Sequence, residues 1–534
     1  MKYVIGLDIG TSSTKAVLFN TEGKQVARCA QQYELRSPEA GAAEQDPEDI
    51  LQAATQTVTD VVAQSGIAAS ALVALSFSCA MHTLLLIDKD NQPITPLFTW
   101  ADNRSDRYTH FAKQNPSFKS ASAQTSPQVS LHTSPQNSLQ TSLYERTGIP
   151  AHPMSPAIKL IWLRHEYPDV FQNAARIVCI KEYILWHWCQ EWVVDCSMAS
   201  TTGLLNIHDS GWDAPTLSLA GIRKEQLSPI VPTTYQLALG RDYAKQMRLV
   251  AGMPVVVGAS DGVLANLGVG AIAPDTAAIT LGTSGAVRRV IKSPKTEPET
   301  QLFCYALTQT QWVMGGAVNN GGITLQWARD SLVPYSIAPE EQSAIGTEPS
   351  ASTYERMNAM ARTVSPGSEG LVFHPYLLGE RSPLWNAQAS ASFFGLSRQH
   401  SQAHLVRAVM EGVIYNMHVV FQALEKASGP IEKLRASGGF AHSTLWQQIL
   451  ADVFNRPIEI PTVIESSAFG AAGLALVALG EWESLSVVEE KGEIRCDRQP
   501  IEENVSRYQK ILPVYASLSA ALTNHYEALQ QAMS

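Results

Sequence analysis

Two short turns of small hydroxyl-bearing residues, Gly10-Thr11-Ser12 and Gly282-Thr283-Ser284, are where this chain could hold a phosphate. Such a turn lets backbone N–H groups and hydroxyls approach phosphate oxygens, because no bulky side chain intervenes. One of them alone is also what an ordinary tight hairpin needs. Two in matching surroundings read as a pair of phosphate grips. Asp8, two residues before the first turn, suits Mg²⁺, which takes oxygen ligands, often one or two carboxylates with phosphates and water. The second turn follows Leu281 and has no carboxylate. Phosphoryl transfer to an alcohol also needs a group that accepts the alcohol's proton. Asp261, in Gly258-Ala259-Ser260-Asp261-Gly262, is the candidate base, and it joins Asp8 in the expected metal site and the substrate contacts. An Asp among small residues is equally a helix N-cap, and Gly262 to Gly268 has the look of a helix start. Lys15 lacks the preceding glycine of a Gly-x4-Gly-Lys-[Ser/Thr] loop, which disfavours a Walker-type ATPase.

The elements around these residues are strands. Residues 3–9 read as a strand, Gly10 to Ser13 as a turn, Lys15 to Phe19 as a second strand, and a third follows Asn20-Thr21-Glu22-Gly23. A helix is predicted from Pro47 to about Ala63, then strands at Leu72 to Phe77 and Thr83 to Ile87. The opening pattern recurs as strand Thr276 to Leu281, turn, and strand Ala286 to Ile291. Internal repetition of this kind implies two similar α/β lobes with a ligand clamped in the cleft between them. The junction is expected near Gly252 to Ser260, giving domains 1–257 and 258–534. The stretch 113–142 is rich in Ser, Gln, Thr and Pro without apolar period, and reads as a flexible surface insertion.

Composition narrows the class. A chain of 534 residues exceeds what one hydrophobic core supports, so at least two domains are expected. No apolar run reaches the ~18 residues of a membrane span. The nearest, Ala468 to Leu479, is rich in Ala and Gly and reads as a buried helix. Seven cysteines without a Cys-x-x-Cys pair argue against a disulfide framework or zinc site and for a reducing cytoplasm. The net charge of −10 comes without a basic patch, which disfavours nucleic acid as partner.

Longer motifs add a resemblance. Asp8-Ile9-Gly10-Thr11-Ser12 and Leu281-Gly282-Thr283-Ser284-Gly285 resemble the two phosphate motifs of the FGGY carbohydrate kinases. Met154 to Trp162 resembles the first family signature, departing at His165. Ser392-Phe393-Phe394-Gly395-Leu396 with His404 to Glu411 resembles the second, and Ala436-Ser437-Gly438-Gly439-Phe440 the adenosine-binding segment. The resemblance covers residues 3 to about 480 and implies an actin-like, ribonuclease-H-like duplicated fold, with ATP and Mg²⁺ as cofactors. On it, Asp261 would be the base and Asp8 the metal ligand. Gly10, Thr11, Ser12, Lys15, Gly282, Thr283, Ser284, Gly322, Gly438 and Gly439 would bind ATP. The pairs Gly315-Gly316 and Gly321-Gly322 would serve the nucleotide or simply pack.

Substrate contacts are expected from Met81, His82, Trp100, Asp102 and Arg104. Asp102 can accept from paired hydroxyls, His82 can donate or accept, and Trp100 offers a wall for a carbon chain. The wording of 76–82, 99–105, 144–148 and 152–156 resembles the gluconate-phosphorylating branch. Arg104 would then neutralise a sugar carboxylate, although it could as well only brace Asp102. The expected partners are a small sugar acid and ATP, with no nucleic acid and no membrane, and a homodimer as the assembly considered. The rival readings are a family kinase for xylulose or another polyol, an actin-like ATPase without a metabolite substrate, and an inactive pseudokinase.

Overall fold

The computed structural model describes residues 1–114, 142–333, 351–462 and 465–533. The stretch 115–141, nearly all of the expected insertion, lies outside the described residues. The chain divides into two compact units. The first is Met1–Ala273 with Val290–Met314 and Glu465–Gly492; the second is Pro274–Arg289 with Gly315–Ile464 and Glu493–Ser534. This differs from a single cut at 257/258. The strand ending at Ser260 and the helix after it pack inside the first unit, and the chain returns there twice.

In the first unit six strands form one sheet. They are β1 (Tyr3–Ile9), β2 (Ser13–Asn20), β3 (Gln25–Gln32), β4 (Leu72–Cys79), β5 (Gln236–Ala238) and β6 (Pro254–Ser260), in the order β3-β2-β1-β4-β6-β5. The first three make an antiparallel meander, as the turn residues predict, while β4 runs parallel to β1 and β6 parallel to β4. Register sets the chemistry. Ile9 lies opposite Cys79, and Cys79 opposite Ser260, so three parallel strands end at one level. The residues that follow those ends are Gly10, Ala80 and Asp261. Open α/β sheets bind ligands at the carboxyl ends of their strands.

Helices cover the sheet. The helix Pro47–Ser65 begins at an Asp46 cap that accepts the Glu48 N–H, has Pro at its first position, and ends at a left-handed Gly66. The Ala/Gly-rich stretch folds as the buried helix Ser466–Ala478. The helix packs closely on its neighbours: a Cβ on Gly6 of β1 would sit 1.9 Å from the Ala468 carbonyl oxygen, and one on the helix's own Gly470 2.4 Å from the Leu264 carbonyl oxygen. Among the described residues no helix is long and apolar enough to cross a membrane.

The second unit repeats the plan. Its strands β7 (Thr276–Leu281), β8 (Gly285–Ile291), β9 (Trp312–Val318), β10 (Lys433–Ser437), β11 (Ile458–Pro461) and β12 (Ile494–Arg498) run in the order β9-β8-β7-β10-β11-β12. Again an antiparallel hairpin carries the Gly-Thr-Ser turn, and the next strands, β10 and β11, run parallel. The 27-residue helix Gln402–Ser428 carries the buried Arg407–Glu411 pair, whose carboxylate also accepts from Gly367 N–H, Ser368 and Tyr508.

Candidate active site

In the first unit the turn between β1 and β2 is held from outside itself. The Tyr33 hydroxyl donates to the Gly10 carbonyl at 2.5 Å, and Gln45 Nε2 donates to the Thr11 carbonyl at 2.7 Å. The Trp100 indole N–H donates to the Thr11 hydroxyl at 2.9 Å, so the expected sugar wall and the expected phosphate grip meet directly. Asp8 lies beneath the turn, and its Oδ1 accepts from the Ser78 hydroxyl at 2.7 Å. Burial pushes the Asp8 carboxyl above its usual range, with the Ser78 hydrogen bond and Lys15 opposing. Asp8 offers an oxygen of the kind that Mg²⁺ takes, but among the described residues no group of three or more His, Cys, Asp or Glu side chains gathers to hold a metal ion. Lys15 Nζ itself bonds Glu465 at 2.9 Å, and Arg28 pairs with the same carboxylate at 2.7 Å. The phosphate contact expected of Lys15 therefore competes with an ion pair.

Asp261 is the first residue of the helix Asp261–Gly268, and Ser260 is its N-cap. The cap reading is thereby corrected: Asp261 does not occupy the cap position, and its Oδ1 accepts the Gly262 N–H at 2.7 Å. The buried Cys79 thiol is pushed up by desolvation first, and both Asp261 and Asp8 add to that shift.

His82 is 4% exposed and has a left-handed backbone, φ 62°. Its Nδ1 lies 2.7 Å from the Thr201 carbonyl, which can only accept, so Nδ1 carries the proton. In the neutral ring Nε2 is then the acceptor, and it faces the Tyr305 hydroxyl at 3.3 Å. Asp102 and Arg104 adopt the second of their two expected arrangements, with Arg104 bracing Asp102. Asp102 is fully buried, and its oxygens accept from Ala43 N–H, from Arg104 N–H and from the Arg104 guanidinium. Arg104 pairs with Asp102, Glu44 and Glu39 at 2.6, 2.5 and 2.9 Å, and its guanidinium lies 4.9 Å from the Trp162 ring centroid. A guanidinium shared among three carboxylates is a brace, so a contact from Asp102 or Arg104 to a sugar would compete with these ion pairs. Beside it, fully buried Lys159 donates to the Pro153 and Met154 carbonyls, and burial lowers it to about 7.

In the second unit the Gly282-Thr283-Ser284 turn borders a pocket of about 670 Å³, within the range of small-molecule sites. Leu281, Gly439, Phe440, Tyr354 and Trp446 also line it. The glycines separate into two kinds. A Cβ on Gly438 (φ 111°) would meet the Leu281 carbonyl oxygen at 2.3 Å, and one on Gly322 would meet Gly282 oxygen at 2.8 Å, so both serve close packing of the chain on itself. Gly315 likewise packs on the Val287 oxygen and Gly316 on Ser382, while Gly321 packs on Ser284. Gly439 and Gly282 meet nothing within 4 Å and leave the pocket wall open. The turn is tied to the helix Gly322–Leu332 by Gly322 N–H to Gly282 O at 2.6 Å and Ile323 N–H to Thr283 O at 3.1 Å.

Sequence reasoning missed Tyr33, Gln45, Thr201, Tyr305 and Tyr354. Each reaches the site from a distant position with no motif around it. Only Ser78, opposite Asp8 in the parallel pair, had a signal: it ends an apolar strand.

A duplicated meander-plus-parallel sheet, each copy with a Gly-Thr-Ser turn, defines an actin-like ATPase fold. The chain belongs to the FGGY family of carbohydrate kinases: the family's N-terminal domain matches residues 3–135 and 117–268, and its C-terminal domain matches 277–479. The chain is 41% identical over 526 residues to a gluconokinase of Bacillus subtilis (strain 168), covering 98% of this chain and 97% of that protein. Among solved structures it resembles a gluconate kinase from Lactobacillus acidophilus (33% identity, TM-score 0.88, 99% of each chain). It equally resembles a ligand-bound xylulose kinase from the same organism (34% identity, TM-score 0.88, 99% and 100%).

Proposed function

We propose that the chain transfers the γ-phosphoryl group of ATP to the terminal hydroxyl of D-gluconate, giving 6-phospho-D-gluconate. The observation that carries this reading is the full-length identity of 41% to a gluconokinase, in a chain whose two phosphate turns and candidate base are all present. The first unit supplies the acceptor half. Asp261 takes the proton of the attacking hydroxyl, which raises that oxygen's nucleophilicity as the bond to phosphorus forms. His82, with its tautomer set by Thr201, meets a substrate hydroxyl through Nε2 only by exchanging its Tyr305 partner, and Met81 and Trp100 flank the carbon chain. The second unit supplies the nucleotide half. Adenosine lies in the pocket along Gly439, and Thr283 and Ser284 hold phosphate oxygens, as Thr11 and Ser12 do from the first turn. Mg²⁺, with Asp8 and Asp261 as its proposed ligands, would neutralise charge on the transferring group. The seven free cysteines support a reducing cytoplasmic setting.

A second reading, a xylulose-type kinase, is favoured by one observation. Arg104, the cation expected to meet a sugar carboxylate, is committed to protein carboxylates. The test of the proposed function is product identification by ³¹P NMR after incubation with ATP, Mg²⁺ and gluconate. A phosphomonoester on the terminal carbon supports it. Unchanged ATP with gluconate, together with a monoester formed from xylulose, selects the second reading.

A further inference from the structure

The five-residue helix Cys196–Ser200 contains no residue that the proposed mechanism uses, yet it touches both reactive ends of the first unit. Its N-terminus is anchored by Asp195, which accepts the Met198 N–H at 2.9 Å and pairs with Lys181; both side chains of the pair are fully buried. In its first turn, Ser197 Oγ accepts the Ser260 N–H at 3.2 Å and lies 3.1 Å from the Ser260 hydroxyl. Ser260 is the residue before Asp261. Although Ser260 is the N-cap of the helix Asp261–Gly268, its side chain makes no capping bond there and is turned to Ser197 instead. In its last turn, Ser200 donates to the Ser197 carbonyl at 2.7 Å and accepts the Ala306 N–H at 2.9 Å. One residue on, the Thr201 carbonyl takes the Nδ1–H of His82.

We infer that Ser197 is a positioning residue for Asp261, and that the segment Cys196–Thr201 sets the spacing between that carboxylate and the His82 imidazole. The inference rests on Asp261 being the base. A buried N–H left unpaired costs about 1–3 kcal/mol. Without the Ser197 hydroxyl the end of β6 would therefore shift to find another acceptor and carry Asp261 with it. Misplacement of a reacting group by about 1 Å costs up to about a hundredfold in rate. Ser197, Ser260, Lys181 and Asp195 are all 0% exposed, so bulk water does not reach the Ser260 N–H.

The experiment is steady-state ADP release from the full chain with ATP and gluconate. Ser197→Ala is expected to lower kcat about ten- to hundredfold with KM for ATP and for gluconate within about twofold. Ser197→Cys, which keeps a weak acceptor, should recover part of the rate. Ser260→Ala removes only the second hydroxyl and leaves the Ser260 N–H to Ser197 bond, so its kcat should stay within about threefold. Should Ser197→Ala fold poorly, Ser197→Cys against Ser260→Ala gives the same ordering. Equal losses in these variants, an unchanged kcat in Ser197→Ala, or a loss shared by both KM values would overturn the inference. Asp261→Asn separates it from the reading beneath it. If that variant is inactive and Ser197→Ala is normal, only the positioning role fails. If Asp261→Asn turns over normally, the base assignment itself falls.

Discussion

Arg104 has two readings in the sequence, carboxylate clamp or brace for Asp102, and its three carboxylate partners favour the brace. Its side chain is 12% exposed and Asp102 is 0% exposed, so the pair sits at the buried end of the scale, where removing one partner costs about 3–5 kcal/mol against 0–1 for a surface pair. Arg104→Gln is therefore expected to lower Tm markedly and to raise KM for every sugar tested, as measured by thermal melts beside kinetics. A KM effect confined to gluconate, with Tm unchanged, would restore Arg104 as the carboxylate clamp. Asp261→Asn is expected to lower kcat by at least about 10²-fold while leaving ATP binding intact, read by ADP release and by nucleotide titration. Glu182 carries a prediction about pH. Burial raises it from its ordinary 4.5 to about 7, opposed by its hydrogen bonds. The folded state then holds more protons than the unfolded state between those values, so its contribution to stability is present below about 4.5 and is lost as pH rises through about 7, by up to about 3 kcal/mol. Glu182→Gln should gain Tm relative to the unaltered chain as pH goes from 5 to 8; parallel Tm profiles would contradict this.

At the scale of elements, the two strand–turn–strand units were legible because their residues are local. Gly, Thr and Ser between apolar runs predict a turn, and both turns occur, with β2 longer than expected, Ser13–Asn20 instead of Lys15–Phe19. Asp8, one residue before the end of its strand, and Asp261, directly after another, stood out in the sequence for that placement. What could not be read was which glycine does what. Gly438 and Gly439 look alike in sequence, yet one is needed by the chain's own packing and the other borders open space. Gly438→Ala should lower Tm by about 5 °C, because it combines a left-handed backbone with overlap on Leu281. Gly439→Ala should leave Tm nearly unchanged and raise KM for ATP about tenfold, since one methyl in a pocket is worth about 1–3 kcal/mol. Melting curves and ATP titrations on the two variants check the contrast. Equal effects would mean that the pocket along Gly439 is not where the nucleotide lies.

For the whole molecule, repetition within the chain disclosed the duplicated fold, but not where one compact unit yields to the other. The first unit reclaims Val290–Met314 and Glu465–Gly492 after the second has begun, and only long-range packing decides that. The Gly6–Ala468 contact is such a case: a glycine in the first strand and a small residue hundreds of positions later fit one another, with no sign in either neighbourhood. The substrate is the property that depends most on the whole chain. Similarity to a gluconokinase extends over 98% of it, while the cation first expected to recognise the acid is engaged elsewhere. The measurement that tests the central claim most directly is kcat/KM for gluconate, xylulose and glycerol in a coupled ADP-release assay at saturating ATP and Mg²⁺. The account predicts that gluconate leads the other two by about 10²-fold or more, as a site built to bind a substrate's polar groups does. Equal or greater efficiency with xylulose, or ATP hydrolysis that no sugar stimulates, would contradict it.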